Sequence, residues 1–432
     1  MLKFLIKGLF RDRSRSLIPI LVVSAGVTLT VCMISFMQGY LRDMIYENAR
    51  FATGHVKIVT RSFSDMIDQR PLDLALLGVS DILDKWETQP QSAELLWVPR
   101  ISFGGLLDIP DENGETRFQG EVGGMAVVMR PHSDSRFDPD IERRLLKLDD
   151  SIVRGRMPAT PGEMLVSEQM FTQLDIPLGH TASIIGSTMF GSMVVHNFTI
   201  VGTIEFGIEA LDRGGVIIDF ADAQSMLDME DGAGEILGFF PDFEYYPDRA
   251  DGLKESFNAI LTDESDEFSP LMLTEYDQNQ LGAFIQYSGY TLGITMFAFV
   301  FVMVIVLWNA GLMQGIRRYG EIGVRLAMGE SKGHVFRAMI IESLAIGCVG
   351  SVIGTAVGLA LSYWMQAYGF DMSHYMTNSS MMMSNVMRAH VNLRSYLVGF
   401  APGIGATVLG AAMAGAGIFK RQTSQLFKEL ET

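Results

Sequence analysis

Apolar residues along this chain fall into four long runs. Leu17–Tyr40 holds 24 residues without a formal charge, bounded by Arg15 and Arg42. As a helix it would be about 36 Å long, enough to cross a hydrocarbon core about 30 Å thick. Ala283–Ile316 is uncharged and longer, Ala338–Gln366 carries Glu342 alone, and Tyr396–Phe419 carries no charge. The pattern predicts four transmembrane helices. The first run is too long for the apolar region of a cleaved signal peptide, and neither a cleavage site nor a lipoprotein-type cysteine follows it. It is expected to remain a span.

The polar sequence between the first two runs alternates between strand and helix periods. His55–Thr60 is rich in β-branched residues, and helical spacing follows to about Gln89. Leu95–Ile109 reads as two strands turning at Gly104–Gly105, and Asp111–Gly114 as a further turn. Short strands dominate from Arg117 to Phe206, interrupted by a helix at Ser167–Leu174. Val194–Ile204 and Val216–Phe220 read as strands, Ala221–Met229 and Asp251–Leu261 as helices, and Leu271–Tyr276 leads back to the membrane. The fold class expected is an α-helical membrane protein with four transmembrane helices plus a large extracytoplasmic α/β domain with a β-rich insertion.

Charge orients this arrangement. Lys3, Lys7, Arg11, Arg13 and Arg15 precede the first run; Arg317, Arg318, Arg325, Lys332 and Arg337 lie between the second and third; Lys420, Arg421 and Lys428 follow the fourth. The positive-inside rule places all three segments, and both termini, in the cytoplasm. Residues 41–280 then face outward, with 43 acidic and 18 basic side chains. So acidic a head argues against nucleic acid as a partner and for a well-hydrated domain. Cys32 and Cys348 both fall in membrane runs, so no disulfide staples the head.

The resulting order is an interfacial helix over 1–15, a first membrane helix and stalk over 16–52, and the extracytoplasmic domain over 53–275, its β-rich insertion at about 116–220. A second stalk and membrane helix over 276–316 and a basic cytoplasmic loop over 317–337 come next. The third membrane helix spans 338–366, a Met-rich outer loop 367–395, the fourth membrane helix 396–419 and a cytoplasmic tail 420–432. Gly350, Gly354 and Gly358 repeat every four residues on the third helix, as do Ala401–Gly405 and Ala406–Gly410 on the fourth. Small faces of this kind let membrane helices approach closely. The outer loop holds Met372, Met376, Met381, Met382, Met383 and Met387 with His374 and His390. Its irregular spacing reads as adaptable packing and not as a metal site. Glu342 lies near the inner end of its helix, within reach of Arg337, and reads as a structural ion pair.

The chain contains no Gly-Lys dipeptide and hence no phosphate-cradling P-loop. No nucleophile elbow, zinc spacing or dinucleotide fingerprint stands out, and no enzyme activity is expected of it. The segment Arg318-Tyr-Gly-Glu321-Ile322-Gly323-Val-Arg325-Leu-Ala-Met-Gly329, followed by a helix with Glu342 near its start, resembles the loop of the MacB/FtsX-like permease family. Ile152–Ile185 resembles that family's external-domain pattern, with Ser167 where Gly is usual and His180 where Asp is usual. Gly202–Leu227 resembles the lipoprotein-releasing, LolC/LolE-like branch.

The resemblance implies a permease subunit of an ABC transporter that works by mechanotransmission. It would pair with a second permease, identical or paralogous, and with two copies of a separate ATPase that carries ATP and Mg; no cofactor is expected on this chain. Arg318, Glu321, Ile322, Gly323 and Arg325 would contact the ATPase, and Gly329 would make the turn. The implied cargo is a lipoprotein, lipid or other hydrophobic molecule, with a periplasmic acceptor or adaptor as a possible further partner. The alternative within the resemblance is an FtsX-like signalling scaffold that controls an external cell-wall hydrolase.

Overall fold

The computed structural model describes residues 13–111, 115–131, 136–174, 177–278, 281–371 and 384–420. The expected interfacial helix over 1–15 therefore lies largely outside the described residues, as do Met372–Met383 of the outer loop and the tail beyond Lys420. The described chain forms two compact units. One takes in Arg42–Ile285 and Asp371–Val386, and the other the remaining segments.

The second unit is helical. Helix α1 spans Arg13–Asn48, and four segments are long and apolar enough to cross a membrane: Leu17–Thr53, Leu281–Val306, Lys332–Tyr368 and Leu393–Gly415.

The first unit is built on one mixed sheet of ten strands. In chain order these are β1 (Val56–Thr60), β2 (Leu96–Pro110), β3 (Thr116–Val127), β4 (Ile152–Gly155), β5 (Glu163–Ser167), β6 (Thr181–Ser187), β7 (Met193–Ile204), β8 (Gly215–Asp219), β9 (Glu235–Phe239) and β10 (Pro270–Thr274). Their spatial order is β10-β1-β9-β2-β3-β8-β5-β7-β4, with β6 pairing to β2 and β7. The β3–β8 and β5–β7 pairs are parallel and the rest antiparallel. Strands β1, β5, β8 and β9 are buried along their whole length, and the charged Lys57 of β1 and Glu235 of β9 pair at 2.6 Å within them.

Helices α2 (Val79–Glu87), α3 (Phe220–Leu227) and α4 (Pro247–Leu261) contribute to its core. Trp86 of α2 and Phe257 of α4 are both fully buried and meet edge-to-face at 5.2 Å.

The expected turn at Gly104–Gly105 is absent, because β2 is a single strand of 15 residues through both glycines. Gly105 instead lets β6 approach: a Cβ there would lie 2.9 Å from the Ile185 carbonyl oxygen. Glycine within a strand here marks close backbone contact and not reversal.

The two outer segments with family resemblance meet around one buried ion cluster. Arg130 Nη2 lies 3.0 Å from Asp219 and 2.9 Å from Asp222, while Asp222 Oδ2 accepts the Gly162 N–H at 2.9 Å. Glu163 accepts from Arg156 and from the Ala159 and Thr160 N–H groups, and the Arg156 guanidinium foremost holds its carboxyl far below the usual range. The two departures from the family pattern have local uses. Ser167 Oγ accepts the Met170 N–H at 3.1 Å at the start of the helix Glu168–Leu174, and His180 Nε2 lies 2.8 Å from the Pro110 oxygen.

Candidate coupling site

In the helical unit, α5 (Leu281–Ala327), α6 (Lys332–Tyr368) and α7 (Phe400–Lys420) complete the set. The segment 317–337 is not a separate loop. Helix α5 runs unbroken for 47 residues through Arg318, Glu321, Ile322, Gly323 and Arg325, and only the turn 328–331 is non-helical. Two backbone bonds close it: Gly329 N–H to the Leu326 oxygen at 3.1 Å and Glu330 N–H to the Arg325 oxygen at 3.1 Å. With Gly329 at φ +94°, this is a Schellman-type helix end. Ser331 then caps α6 by accepting the His334 N–H.

Behind the turn, Leu326 and Met339 pack on buried Val335. In front of it, Val324 and Met328 are 50% and 75% exposed, beside exposed Arg325. Positions 318, 321 and 325, and likewise 318, 322 and 325, are three and four residues apart, the spacing of one helical face. The tip thus presents apolar knobs next to a cation on a short, rigid hairpin. Gly329→Ala would put a Cβ at a left-handed backbone, costing about 1–2 kcal/mol. Earlier thermal loss of the helical unit with unchanged melting of the α/β domain is the expected outcome, read by differential scanning calorimetry of the detergent-purified protein.

The glycines of α6 sit against α1. A Cβ on Gly350, Gly354 or Gly358 would come within 2.6–2.9 Å of Val23, Ser24, Val27 or Val31. A ladder the sequence did not reveal accompanies them. Ser24 Oγ, Thr28 Oγ1 and Cys32 Sγ donate to the carbonyls of Gly350, Gly354 and Gly358 at 3.1, 3.1 and 3.5 Å. On the fourth membrane segment Gly399 and Gly403 face Val27 with Thr355 and Ser351, and a Cβ on Gly415 would lie 2.8 Å from the Phe336 ring. Gly410 is buried, whereas a Cβ on Gly405 meets nothing within 4 Å, so among the described residues Gly405 makes no close helix contact.

The α/β unit holds both chain crossings on neighbouring strands. After α1, a π-helical turn Ala49–Thr53 and Gly54 at φ +62° lead into β1; β10 leads through a 3-10 turn, Glu275–Asp277, toward α5. Strands β1 and β10 pair in antiparallel register from Val56–Thr274 to Thr60–Pro270. The π turn is clamped from the sheet. Arg100 Nη1 donates to the Arg50 oxygen at 2.7 Å, its other nitrogens pair with both oxygens of Glu142, and Arg50 donates to the Leu146 oxygen. Arg100 and Glu142 are fully buried.

The same unit has an open cleft of about 950 Å³. Gly104, Gly123 and Gly124 line it, with Phe103, Met125 and Met189, and Arg70 donates to Ser102 Oγ at 3.1 Å beside it. Phe190, Phe268 and Leu77 in its lining are 70%, 57% and 53% exposed.

Residues 293–423 match the FtsX-like permease C-terminal family. Over 362 residues, 81% of this chain, the sequence is 21% identical to the lipoprotein-releasing system transmembrane protein LolC of Xylella fastidiosa, covering 76% of that protein. Over 377 residues, 82% of the chain, it is 22% identical to the macrolide export ATP-binding/permease protein MacB of Burkholderia thailandensis, of which the match spans 51%. The crystal structure of the periplasmic region of MacB from Actinobacillus actinomycetemcomitans aligns with a TM-score of 0.35 at 12% identity, covering 54% of this chain and 94% of that one. The chain therefore carries an FtsX-like permease domain over residues 293–423 and resembles, across most of its length, the LolC and MacB kind of ABC transporter permease.

Proposed function

We propose that this chain is a permease subunit that relays ATP-driven motion from a separate cytoplasmic ATPase to its α/β domain. The observation that carries the reading is the continuity of α5. One helix of 47 residues links the joint at Glu275–Asp277 to the turn at Gly329. At about 1.5 Å per residue it is about 70 Å long, more than twice the hydrocarbon thickness. A stiff element of that length, ending on a capped turn with exposed Val324, Met328 and Arg325, is suited to transmit a push.

In this reading the turn faces the cytoplasm, in keeping with its basic flanks, and the acidic α/β domain faces the periplasm. Arg318, Glu321, Ile322, Gly323 and Arg325 engage a groove of the ATPase, two copies of which hold ATP and Mg. A second permease, identical or paralogous, completes the membrane part. The cargo is a lipoprotein, lipid or other hydrophobic molecule; likeness to LolC favours release of a lipoprotein, and the apolar cleft supplies a surface for it.

Native mass spectrometry of the complex extracted in mild detergent tests this. An ABC ATPase bound in two copies, with lipid or lipoprotein, is the expected result. A bound cell-wall hydrolase without either would overturn it. Met328→Glu or Glu321→Ala is expected to lower ATPase recovery several-fold while the α/β domain keeps its melting behaviour. Unchanged recovery and stimulation in both would remove the turn from the contact.

A further inference from the structure

The joint where both crossings meet the sheet contains a polar cluster that the proposed relay does not use. Glu275 is fully buried, and neither carboxyl oxygen has a hydrogen-bond partner among the described residues. Gln278, 2% exposed, lies three residues further on, and side chains at that spacing eclipse in a 3-10 turn. Its Nε2 donates to the Thr53 and Thr274 oxygens at 3.2 and 3.0 Å, so it bridges the end of the π turn and the end of β10. Gln278 Oε1 and Thr53 Oγ1 are also unpartnered among the described residues. The Glu275 N–H donates to the His55 oxygen at 3.2 Å and extends the β1–β10 ladder by one bond. The unpartnered carboxyl therefore sits beside the bonds that hold the two crossings together.

Among the described residues, no cation on the surrounding elements compensates it. On β1 and the residue before it, His55 accepts the Phe240 N–H at Nδ1, and burial pulls its imidazole down to about 4, so it is neutral. Lys57 is paired with Glu235 at 2.6 Å. On the π turn, Arg50 is committed to Glu47 and the Leu146 oxygen. On α4, Lys254 pairs with Asp277 at 2.9 Å and lies 3.7 Å from Asp251. Asp277, which burial would push up, is held low by the Thr274 N–H and Lys254. Tyr245 and Tyr276, whose rings meet at 4.9 Å, are both pushed up by burial, and Asp242 acts on His55 from an exposed position. Burial alone drives the Glu275 carboxyl well above its ordinary range. An ionised carboxylate there would lack both solvent and a partner.

We infer that Glu275 is a proton-operated latch: neutral, it lets the 3-10 turn pack and hold the two crossings together; ionised, it must swing toward water and release the Glu275–His55 and Gln278–Thr53 bonds. This goes beyond the relay reading and does not depend on the cargo or the ATPase. The closed joint binds a proton that the open joint gives up. Its stability is greatest in acid and declines as pH rises from the open-state value, near 4.5, toward the raised closed-state value. Across that window the opening constant rises about tenfold per pH unit, the slope for one proton.

Hydrogen exchange of the full chain in lipid nanodiscs, corrected for the intrinsic pH dependence of amide exchange, tests this over residues 270–278. Wild-type protection is expected to fall as pH rises above the ordinary carboxylate range, by at most about tenfold per pH unit, while distant strands such as β5 stay unchanged. Glu275→Gln, which imitates the neutral acid, is expected to hold its protection flat over that range. A pH-independent wild-type joint would overturn the latch, and so would a Glu275→Gln variant with the wild-type slope. The wild-type slope decides the matter by itself should the variant fail to fold.

Discussion

Gly354→Leu is expected to disrupt the helical unit while leaving the α/β domain intact. A Cβ at this position would already lie 2.6 Å from the Ser24 oxygen and 2.7 Å from the Val27 Cβ. A whole leucine must drive α1 and α6 apart. Overpacking alone costs about 1–3 kcal/mol and occasionally more. Separation also breaks the Ser24, Thr28 and Cys32 ladder, at about 0.6 kcal/mol for an average hydrogen bond in a membrane. Lipid tails are as apolar as leucine, so no hydrophobic gain draws the helices back together. Thermal melting of the detergent-purified chain, followed by size-exclusion chromatography, should show early loss of the monodisperse form. Gly405→Leu is the matched control, since its Cβ meets nothing within 4 Å. Equal damage from both would mean that the α1–α6 contact is not what the glycine protects.

Glu142→Ala should unfold the α/β domain at a much lower temperature. The mutation strands Arg100, whose guanidinium is fully buried and, among the described residues, otherwise held by the Arg50 carbonyl alone. Removing one partner of a buried ion pair costs about 3–5 kcal/mol, because the remaining charge has neither solvent nor counterion. The loss falls on the clamp around the π turn, so exchange protection over Ala49–Thr53 should drop first. The double replacement Arg100→Met with Glu142→Leu removes both charges and keeps the volume, and is expected to restore most of the melting temperature. A single variant that melts like the wild type would show that water reaches Arg100.

These contacts also show where sequence reading stops. The four apolar runs, the strands at Val56–Thr60, Met193–Ile204 and Gly215–Asp219, and the helix at Pro247–Leu261 announce themselves through local period and composition. Gly104–Gly105 misleads because a glycine pair serves a turn and a close strand crossing equally well, and only the position of Ile185 on β6 decides between them. The Ser24–Gly350 bond joins residues 326 apart, a distance at which no pattern along the chain can register. Arg318 to Gly329 reads from sequence as a charged helical segment closed by glycine, but not as the end of the same helix that begins at Leu281. Arg317 and Arg318 look like the end of a span, although charge terminates a membrane helix's apolar stretch and not its backbone hydrogen bonding. Glu275 gives no sign at all, because one acid in an acidic domain looks like any other until its burial is known.

The pairing of β1 with β10 has a consequence for how this architecture can vary. Val56 and Thr274 stand opposite each other, so more than two hundred residues begin and finish at one place. Along the chain, that whole stretch is a closed loop that starts and ends on two adjacent strands. It can be lengthened, shortened or exchanged for another module without altering the spacing the helices must satisfy, provided the two end strands remain paired. A graft cut after Thr60 and before Pro270 keeps both end strands and should therefore carry a foreign head on the same pair of strands.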